Sequence, residues 1–338
     1  MSYDLKNEVE TLSSNNFDGL SFPTLFFWEP EYVIEIKENK YTFIQGEQSL
    51  ENTALINEFL SSESKAKSNS FDFKFKERTS KERYLEQVIS LKNSIQRGDI
   101  YEVNYCQEYF AENVKIDQPI AVYNKLNSLT KAPFSSYFHF DNYSLFCGSP
   151  ERYIKLNNKR LISEPIKGTA PRSKDPIQDL RNKENLETDP KERAENIMIV
   201  DLVRNDFSKI AANHSVKVDA LCAVHSFENV HQMISTVSCE INEGTTFTDI
   251  IKASFPMGSM TGAPKLKAME LIEESEDFKR GLYSGSLGYI NPNGDFDFNV
   301  IIRSLLYNQD QQYLSCSVGG AITIQSDPEK EYAECLTK

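Results

Sequence analysis

Lys167 is the residue of this sequence whose surroundings best suit chemistry. It lies between Pro165 and Pro171, which each restrict one φ angle, and it precedes Gly168, which permits a close backbone approach. A lysine amine acts as a nucleophile only when it is aimed and deprotonated, and burial or a nearby cation usually lowers its pKa for that purpose. The frame indicates a candidate nucleophile. The structural alternative is an ion pair with an acidic neighbour, for example Glu164.

Four glutamates are candidates for acid–base or metal chemistry. Glu151 follows a Ser-Pro turn close to predicted strand ends, where sites are commonly built. Glu195 lies in a predicted helix beginning near Pro190, while Glu331 and Glu334 lie three residues apart in a final helix. Helical glutamates usually face solvent, but Glu195 paired with Glu331 and Glu334 would form an oxygen-rich site suited to Mg²⁺.

Arg303 and the Gly319-Gly320 pair are candidates for contact with a ligand. Arg303 lies in the apolar segment 299–305, which we predict to be a strand, and a charge there needs a partner. A carboxylate of the protein or of a ligand is the expected partner. Adjacent glycines allow another backbone or a ligand to come close.

Hydrophobic periodicity places these residues on helices and strands. Tyr84, Val88 and Leu91 predict a helix that a Thr79–Glu82 capping box begins and Gly98 ends, and a broad apolar side is predicted for the helix after Pro190. Alternation and turn residues predict strands, and a polar linker is predicted at 61–70. The predicted strands span residues 22–27, 32–36, 99–110, 134–164 in a series of hairpins, 215–223, 230–241 and 281–324.

Composition excludes several classes of protein. The 338 residues are 39% hydrophobic and 26% charged, with a formal net charge of −13, so a nucleic-acid partner is not expected. No apolar run is long enough for a membrane span, and the N-terminal residues are unlike a signal peptide. The six cysteines form no CxxC motif and are expected to be free thiols. These features predict a cytoplasmic protein.

Six motifs together resemble the chorismate-utilising enzymes over about three quarters of the chain. The fold that this resemblance implies is α/β (α+β), with two packed antiparallel β-sheets, outer helices and the active site in a central cleft. Residues 1–76 are then a short strand region and linker, and 77–338 the catalytic domain, in one continuous fold. The motifs are GDIYEVN at 98–104, SPE at 149–151, PIKGT at 165–169, AENIMIVDL at 194–202, TGAPK at 261–265 and IRS at 302–304.

Two positions select a branch of this family. Lysine at position 167 is typical of the aminodeoxychorismate synthases, in which it is a covalent nucleophile, whereas anthranilate synthases have alanine there. Isochorismate and salicylate synthases use a water-activating lysine at the position of Glu102. The resemblance therefore implies the aminodeoxychorismate synthase branch, which aminates chorismate on the route to 4-aminobenzoate and folate.

The resemblance also implies a role for each candidate residue. Protonated Glu151 donates to the departing 4-hydroxyl, and Lys167 attacks C2. Glu195 and Glu334 hold Mg²⁺ with Glu331 in support. The remaining residues bind the substrate: Arg303 and Tyr283 bind a carboxylate together with backbone N–H groups near Gly319, Gly320 and Ala321, and Ser259 touches the ring region.

Three departures from the family pattern are visible. Gln232 occupies the place of a family histidine linked to proton transfer, and His231, one residue earlier, should face the other side of the strand. Glu102 replaces an expected glutamine. The N-terminal region is shorter than in long relatives, which puts a tryptophan-binding site in doubt.

No Cys/His pattern of a glutaminase is present, so the resemblance implies a separate glutamine amidotransferase that supplies ammonia. Three alternatives stay open from the sequence. They are an anthranilate synthase large subunit that tolerates Lys167, a pyridoxal-phosphate enzyme with a lysine aldimine, and a chorismate-binding protein that has lost catalysis.

Overall fold

The computed structural model describes residues 1–38, 40–61 and 73–337. Its helices are α1 Lys6–Val9, α2 Leu50–Ser61, α3 Lys81–Arg97, α4 Pro119–Thr130, α5 Pro176–Thr188, α6 Pro190–Ser208, α7 Phe247–Ser254, α8 Lys265–Ser275 and α9 Pro328–Thr337, with 3-10 turns at Tyr3–Leu5 and Gly258–Met260. Its strands are β1 Val33–Lys37, β2 Lys40–Gln45, β3 Lys76–Glu77, β4 Glu102–Ala111, β5 Phe134–Phe140, β6 Tyr143–Ser149, β7 Arg152–Asn157, β8 Arg160–Glu164, β9 Ile166–Pro171, β10 Lys217–Ser226, β11 Val230–Glu240, β12 Gly262–Ala263, β13 Gly288–Ile290, β14 Phe296–Asn299, β15 Ser304–Asn308 and β16 Tyr313–Ile322.

Two seven-stranded sheets, each with antiparallel pairing, dominate the described chain. The first, called the β4 sheet, has the order β12-β4-β16-β15-β6-β5, and β3 also pairs with β4. The second, called the β11 sheet, has the order β10-β11-β8-β7-β14-β13, and β9 also pairs with β11. The short hairpin turns seen in the sequence require this antiparallel pairing.

The two sheets share one apolar core. Leu145 and Cys147 of the β4 sheet lie in the same buried cluster as Ile154, Val237 and Phe298 of the β11 sheet. Helices α5 and α6 pack on β9–β11, whereas α3 packs on β4 and β16, and α9 packs on β16 and α3. The predicted architecture of two packed antiparallel sheets with outer helices is therefore confirmed.

Helix α3 has the buried face that its hydrophobic periodicity predicts. Tyr84, Val88 and Leu91 are buried at helical spacing, and Gly98 ends the helix in the left-handed region with φ +85°. The predicted Thr79 cap is wrong by one residue. Ser80 is the N-cap, and its side chain accepts a hydrogen bond from the backbone N–H of Arg83.

The buried face of α6 differs from the predicted apolar side. The helix does begin at Pro190 after an Asp189 cap, but Ala194 and Ile197 are exposed. Its buried face includes three polar residues, so apolar periodicity could not identify it. The buried residues are Glu195, Asn196, Ile199, Val200, Val203, Asp206 and Phe207.

Contacts divide the chain into two compact units. One unit comprises residues 1–24 and 73–338, and the other comprises 25–72, whose described elements are the β1–β2 hairpin and α2. A strand predicted at 22–27 does not form, whereas the one predicted at 32–36 corresponds to β1. The predicted polar linker at 61–70 lies, from residue 62 onward, outside the described residues. No helix in the described part of the chain is long and apolar enough to cross a membrane.

Candidate active site

Glu151 and Arg303 lie on the two chain segments that pass from one sheet to the other. Glu151 joins β6 of the β4 sheet to β7 of the β11 sheet, and Arg303 lies between β14 and β15, which connect the same sheets in reverse. The two segments are hydrogen-bonded to each other, since Val300 N donates to Glu151 O at 3.0 Å and Gly148 N to Arg303 O at 3.1 Å. An acidic and a basic group are thereby fixed at the junction of the sheets.

Glu151 is suited to hold a proton near neutral pH. Its side chain is buried, and burial raises the pKa of its carboxyl to about 7, against opposing effects of Ser259, Lys167 and Arg303. The Ser259 hydroxyl is also buried, and apart from its effect on the Glu151 carboxyl it has no hydrogen-bond partner among the described residues. A buried hydroxyl of this kind is available to a ligand.

The structure corrects the setting of Arg303. It is not within a strand but in a bend with φ +51°, an unfavourable conformation for a non-glycine residue. No carboxylate among the described residues forms an ion pair with Arg303. Burial lowers the pKa of its guanidinium, and the charge of Glu151 opposes that effect. A half-buried guanidinium with no ion-pair partner among the described residues fits the expectation of a ligand carboxylate.

Lys167 reaches across from the β11 sheet to the β4 sheet. Its Nζ lies 2.9 Å from Oε1 of Glu102, the first residue of β4; the Glu102 side chain is buried and that of Lys167 is 10% exposed. Gly168 has φ +86°, and a Cβ there would lie 2.9 Å from Leu186 and 3.0 Å from Glu192, so the close backbone approach expected behind the lysine is present.

The electrostatics of Lys167 differ from the expected pattern. Burial lowers the pKa of the amine, but the carboxylates of Glu102, Glu195 and Glu151 outweigh burial and hold that pKa above its usual value. The predicted lowering is therefore wrong for this state of the protein. Glu164 is also not the ionic partner, because it pairs with Arg152.

An acidic cluster joins the start of α6 to α9. Glu195 and Glu331 are both buried, and Lys191 Nζ lies between them at 3.8 and 3.4 Å. Glu334 is exposed, but its charge, like that of Asp189, adds to the rise that burial causes in the pKa of Glu192. Glu192, in the first turn of α6, is half-buried. The ends of the two helices are therefore close.

The residues of this acidic cluster fit a divalent cation whose remaining ligands are substrate oxygens and water. In residues 1–38, 40–61 and 73–337, no three His, Cys, Asp or Glu side chains form a ready-made metal site. However, Oε1 of Glu195 is buried and accepts no hydrogen bond from the described residues. Burial raises the pKa of the Glu195 carboxyl to about 7. Mg²⁺ usually takes only one or two carboxylates and keeps waters or substrate oxygens.

Tyr283 and the glycine pair are held by the core. The Tyr283 hydroxyl lies 4.0 Å from Cys106 Sγ, and no hydrogen bond joins it to Arg303 in the described residues. Gly319 and Gly320 are half-buried in β16 opposite Cys106 and Tyr105, and a Cβ at Gly319 would lie 2.4 Å from the Cys106 sulfur. Close packing of β4 explains Gly319, and substrate contacts at Tyr283 and 319–321 stay predictions.

Gln232 and His231 face opposite sides of β11, as their adjacency predicts. His231 faces α5, with Nε2 3.1 Å from Asp179 Oδ1 and Nδ1 2.9 Å from Ser226 Oγ. Gln232 is paired in register with Thr169 of β9, close to Lys167. It is 1% exposed, and its Nε2 has no hydrogen-bond partner among the described residues.

Sequence reasoning missed a buried network that positions two parts of the site. Arg280 forms a bidentate pair with Glu276 at 2.6 and 2.9 Å, and it donates to the carbonyls of Met260 and Asn104. It therefore joins the turn that contains Ser259 to the strand that begins at Glu102. Glu and Arg at (i, i+4) usually form a surface pair, so the spacing alone gave no signal of this role.

A family model described as chorismate binding enzyme matches residues 1–338. The chain belongs to the chorismate-binding enzyme family. The six motifs quoted from the sequence include Glu102, Glu151, Lys167, Glu195 and Arg303, which the structure places around one junction of the two sheets.

Individual relatives fall in two branches of this family. The chain is 40% identical over 255 residues to aminodeoxychorismate synthase component 1 of Salmonella typhimurium, covering 75% of this chain and 55% of that protein. It is 36% identical over 268 residues to anthranilate synthase component 1 of Aquifex aeolicus, covering 79% and 53%. The crystal structure of anthranilate synthase component I from Streptococcus pneumoniae superimposes with a TM-score of 0.85 at 27% identity, covering 100% of this chain and 78% of that one.

The matched region spans about half the length of these two curated relatives. The family and the fold are thus established.

Proposed function

We propose that this chain is the chorismate-aminating component of an aminodeoxychorismate synthase, a transferase that converts chorismate and ammonia into 4-amino-4-deoxychorismate. The observation that supports this proposal is Lys167, a buried amine in the space between the sheets, aimed by a glycine with positive φ and close to Glu151. An alanine at this place would leave no nucleophile.

The dicarboxylate substrate would be held by charge complementarity. Arg303 has no protein carboxylate as partner in the described residues, and it would bind one carboxylate of chorismate, with Tyr283 and the 319–321 backbone nearby. The Ser259 hydroxyl would contact the ring region. Because these groups are buried or half-buried, their hydrogen bonds to the substrate would be stronger than in water.

Mg²⁺ would be held by Glu195 and Glu334, with Glu331 supporting through Lys191. When bound, it would neutralise the ring carboxylate, which would otherwise be repelled by this acidic cluster.

Proton transfer and attack would be divided between two residues. Glu151 would hold a proton on its carboxyl and deliver it to the departing 4-hydroxyl, which requires the raised pKa of about 7. Lys167 would bond to C2 as that hydroxyl leaves as water. Ammonia would then bond to C4 and release the Lys167 amine. A separate glutamine amidotransferase would supply the ammonia.

Product identity tests the proposal. Purified protein with chorismate, Mg²⁺ and ammonium should form 4-amino-4-deoxychorismate and retain the enolpyruvyl group. Release of anthranilate and pyruvate in equal amounts would instead identify the second candidate, anthranilate synthase component I, which the 0.85 TM-score to that enzyme of S. pneumoniae favours. Binding of chorismate without turnover would identify a non-catalytic family member.

A further inference from the structure

The Lys167–Glu102 pair poses a question about the proton of the nucleophile. An ammonium has no lone pair, so Lys167 must lose a proton before its nitrogen bonds to carbon. The surrounding carboxylates hold that proton on the amine. Some group must therefore accept it, and the carboxylates around the amine are the nearest candidates.

Four carboxylates face Lys167 from the elements packed against it. They are Glu102 on β4, Glu151 on the β6–β7 connection, and Glu192 and Glu195 on α6. Glu151 is assigned to donate a proton rather than accept one. Among the described residues, Glu102 alone lies within ion-pair distance of the Lys167 amine, at 2.9 Å.

Glu102 also has free capacity to accept a proton. It is 1% exposed, and neither of its oxygens has a well-directed hydrogen bond from the described residues. Gly262 packs directly on its backbone, since a Cβ there would lie 2.2 Å from the Glu102 carbonyl oxygen. The backbone of Glu102 is therefore closely packed, and among the described residues no other donor competes with the Lys167 amine for its carboxylate.

We propose that Glu102 is a catalytic base that takes the proton of Lys167 as the amine attacks, which rests on the proposed function. One Nζ–H bond breaks and one Oε–H bond forms. The freed nitrogen pair forms the N–C2 bond, the two ring double bonds shift by one position each, and the C4–O bond breaks. The 4-hydroxyl leaves as water with the proton from Glu151. When ammonia attacks C4, the two double bonds shift back, the C2–N bond breaks, and the Glu102 proton returns to Nζ.

The physical advantage is that the buried site keeps its net charge. A proton that moves from ammonium to carboxylate converts an ion pair into two neutral groups, and no ion must be moved to water. Glutamine, which the family resemblance led us to expect at position 102, can hold a hydrogen bond but cannot accept the proton. In that variant the proton must leave to solvent, which makes the reactive fraction depend on pH.

The test compares Glu102→Gln with the wild-type protein. Both are incubated with chorismate and Mg²⁺ without ammonia, and the rate of adduct formation is followed by intact-protein mass spectrometry from about pH 6 to pH 9. The ratio of the variant rate to the wild-type rate removes the titration of Glu151, which both proteins share. We expect the ratio to be about 0.01 at the acidic end, the usual worth of a general base, and to rise with pH.

Two further variants keep the test decisive. Glu192→Gln removes a neighbouring charge but not the ion-pair partner, and its rate ratio should not change with pH. Glu102→Asp retains a carboxylate and should restore the wild-type pH dependence at a lower rate, which also covers the case in which Glu102→Gln folds poorly.

A pH-independent ratio for Glu102→Gln, or a variant faster than wild type at every pH, would overturn the proposal and leave Glu102 as a static ion-pair partner. Absence of both adduct and 4-amino-4-deoxychorismate from the wild-type protein would instead reject the proposed function.

Discussion

Arg303 and Glu151 lie side by side because the chain crosses between the two sheets twice at one place, in opposite directions. The backbone of each crossing segment bonds the other, at 3.0 Å for Val300 N to Glu151 O and 3.1 Å for Gly148 N to Arg303 O. The proposed proton donor and the proposed anion-binding group are thus positioned by backbone geometry rather than by a direct side-chain ion pair. This relationship leads to separate predictions for the two residues.

Glu151 should determine the basic limb of the pH profile. Its pKa is raised to about 7, so the protonated form dominates below about pH 7 and is lost as the pH rises through that value. We expect kcat at saturating Mg²⁺ to fall above about pH 7. Glu151→Gln should lower kcat by about 10²–10⁴-fold, the usual contribution of a general acid.

The pH profile of the residual activity provides the control. In Glu151→Gln the limb near pH 7 should be absent, with the thermal unfolding midpoint close to that of the wild type. An unchanged limb in this variant would assign the titration to another group.

Arg303 and Arg280 should respond oppositely to replacement by lysine. Arg303→Lys loses the planar fork that would bind a substrate carboxylate. We therefore expect kcat/KM to fall by a factor that corresponds to about 2–4 kcal/mol of lost transition-state binding, with little change in the free energy of unfolding. Arg280→Lys breaks a buried bidentate pair with Glu276 and should lower the free energy of unfolding by about 1–3 kcal/mol.

Denaturant unfolding and steady-state kinetics of both variants make the comparison. If Arg303→Lys loses as much stability as Arg280→Lys while its KM for chorismate is unchanged, Arg303 has a structural role.

Glu195 and Glu334 should control the dependence on Mg²⁺. We expect Glu195→Gln or Glu334→Gln to abolish activity at ordinary Mg²⁺ concentrations and to weaken Mg²⁺ activation by at least about 10–100-fold, while the protein stays folded. Glu329→Gln is a matched control on α9, because Glu329 is exposed and pairs with Lys81.

Titration of activity with Mg²⁺ measures the effect in all three variants. Wild-type activation curves in both Glu195→Gln and Glu334→Gln would place the metal elsewhere.

The features that the sequence predicted correctly depend on residues that are close together along the chain. Tyr84, Val88 and Leu91 identified the buried face of α3, Asp189 and Pro190 the start of α6, and the hairpin turns the antiparallel sheets. These features follow from local sterics and periodicity, which a short window of sequence contains.

What the sequence could not predict depends on tertiary contacts. The partner of Lys167 is Glu102, which lies on the other sheet, and neither residue type nor spacing distinguishes it from the adjacent Glu164. The sequence around Arg303 has the pattern of an apolar strand. The bend with φ +51° results from the crossing between the sheets, which that local pattern does not contain. The face of α6 contains buried Glu195, Asn196 and Asp206, which hydrophobic periodicity assigns to solvent.

Lys167→Ala should separate the two branches of the family within one protein. Without the amine, most 4-amino-4-deoxychorismate formation should be lost. Ammonia could still attack the ring at C2 directly, so the residual product should shift toward 2-amino isomers. Chromatography with mass detection of the products checks this, and a variant that binds weakly but makes the wild-type product would favour a purely ionic role for Lys167.

The most direct measurement is the mass of the intact protein after incubation with chorismate and Mg²⁺ in the absence of ammonia. A covalent mechanism predicts a mass increase equal to chorismate minus water, located on Lys167 by peptide mapping and absent from Lys167→Ala. A wild-type spectrum with no mass increase, under conditions in which ammonium supports turnover, would contradict an accumulating Lys167 intermediate.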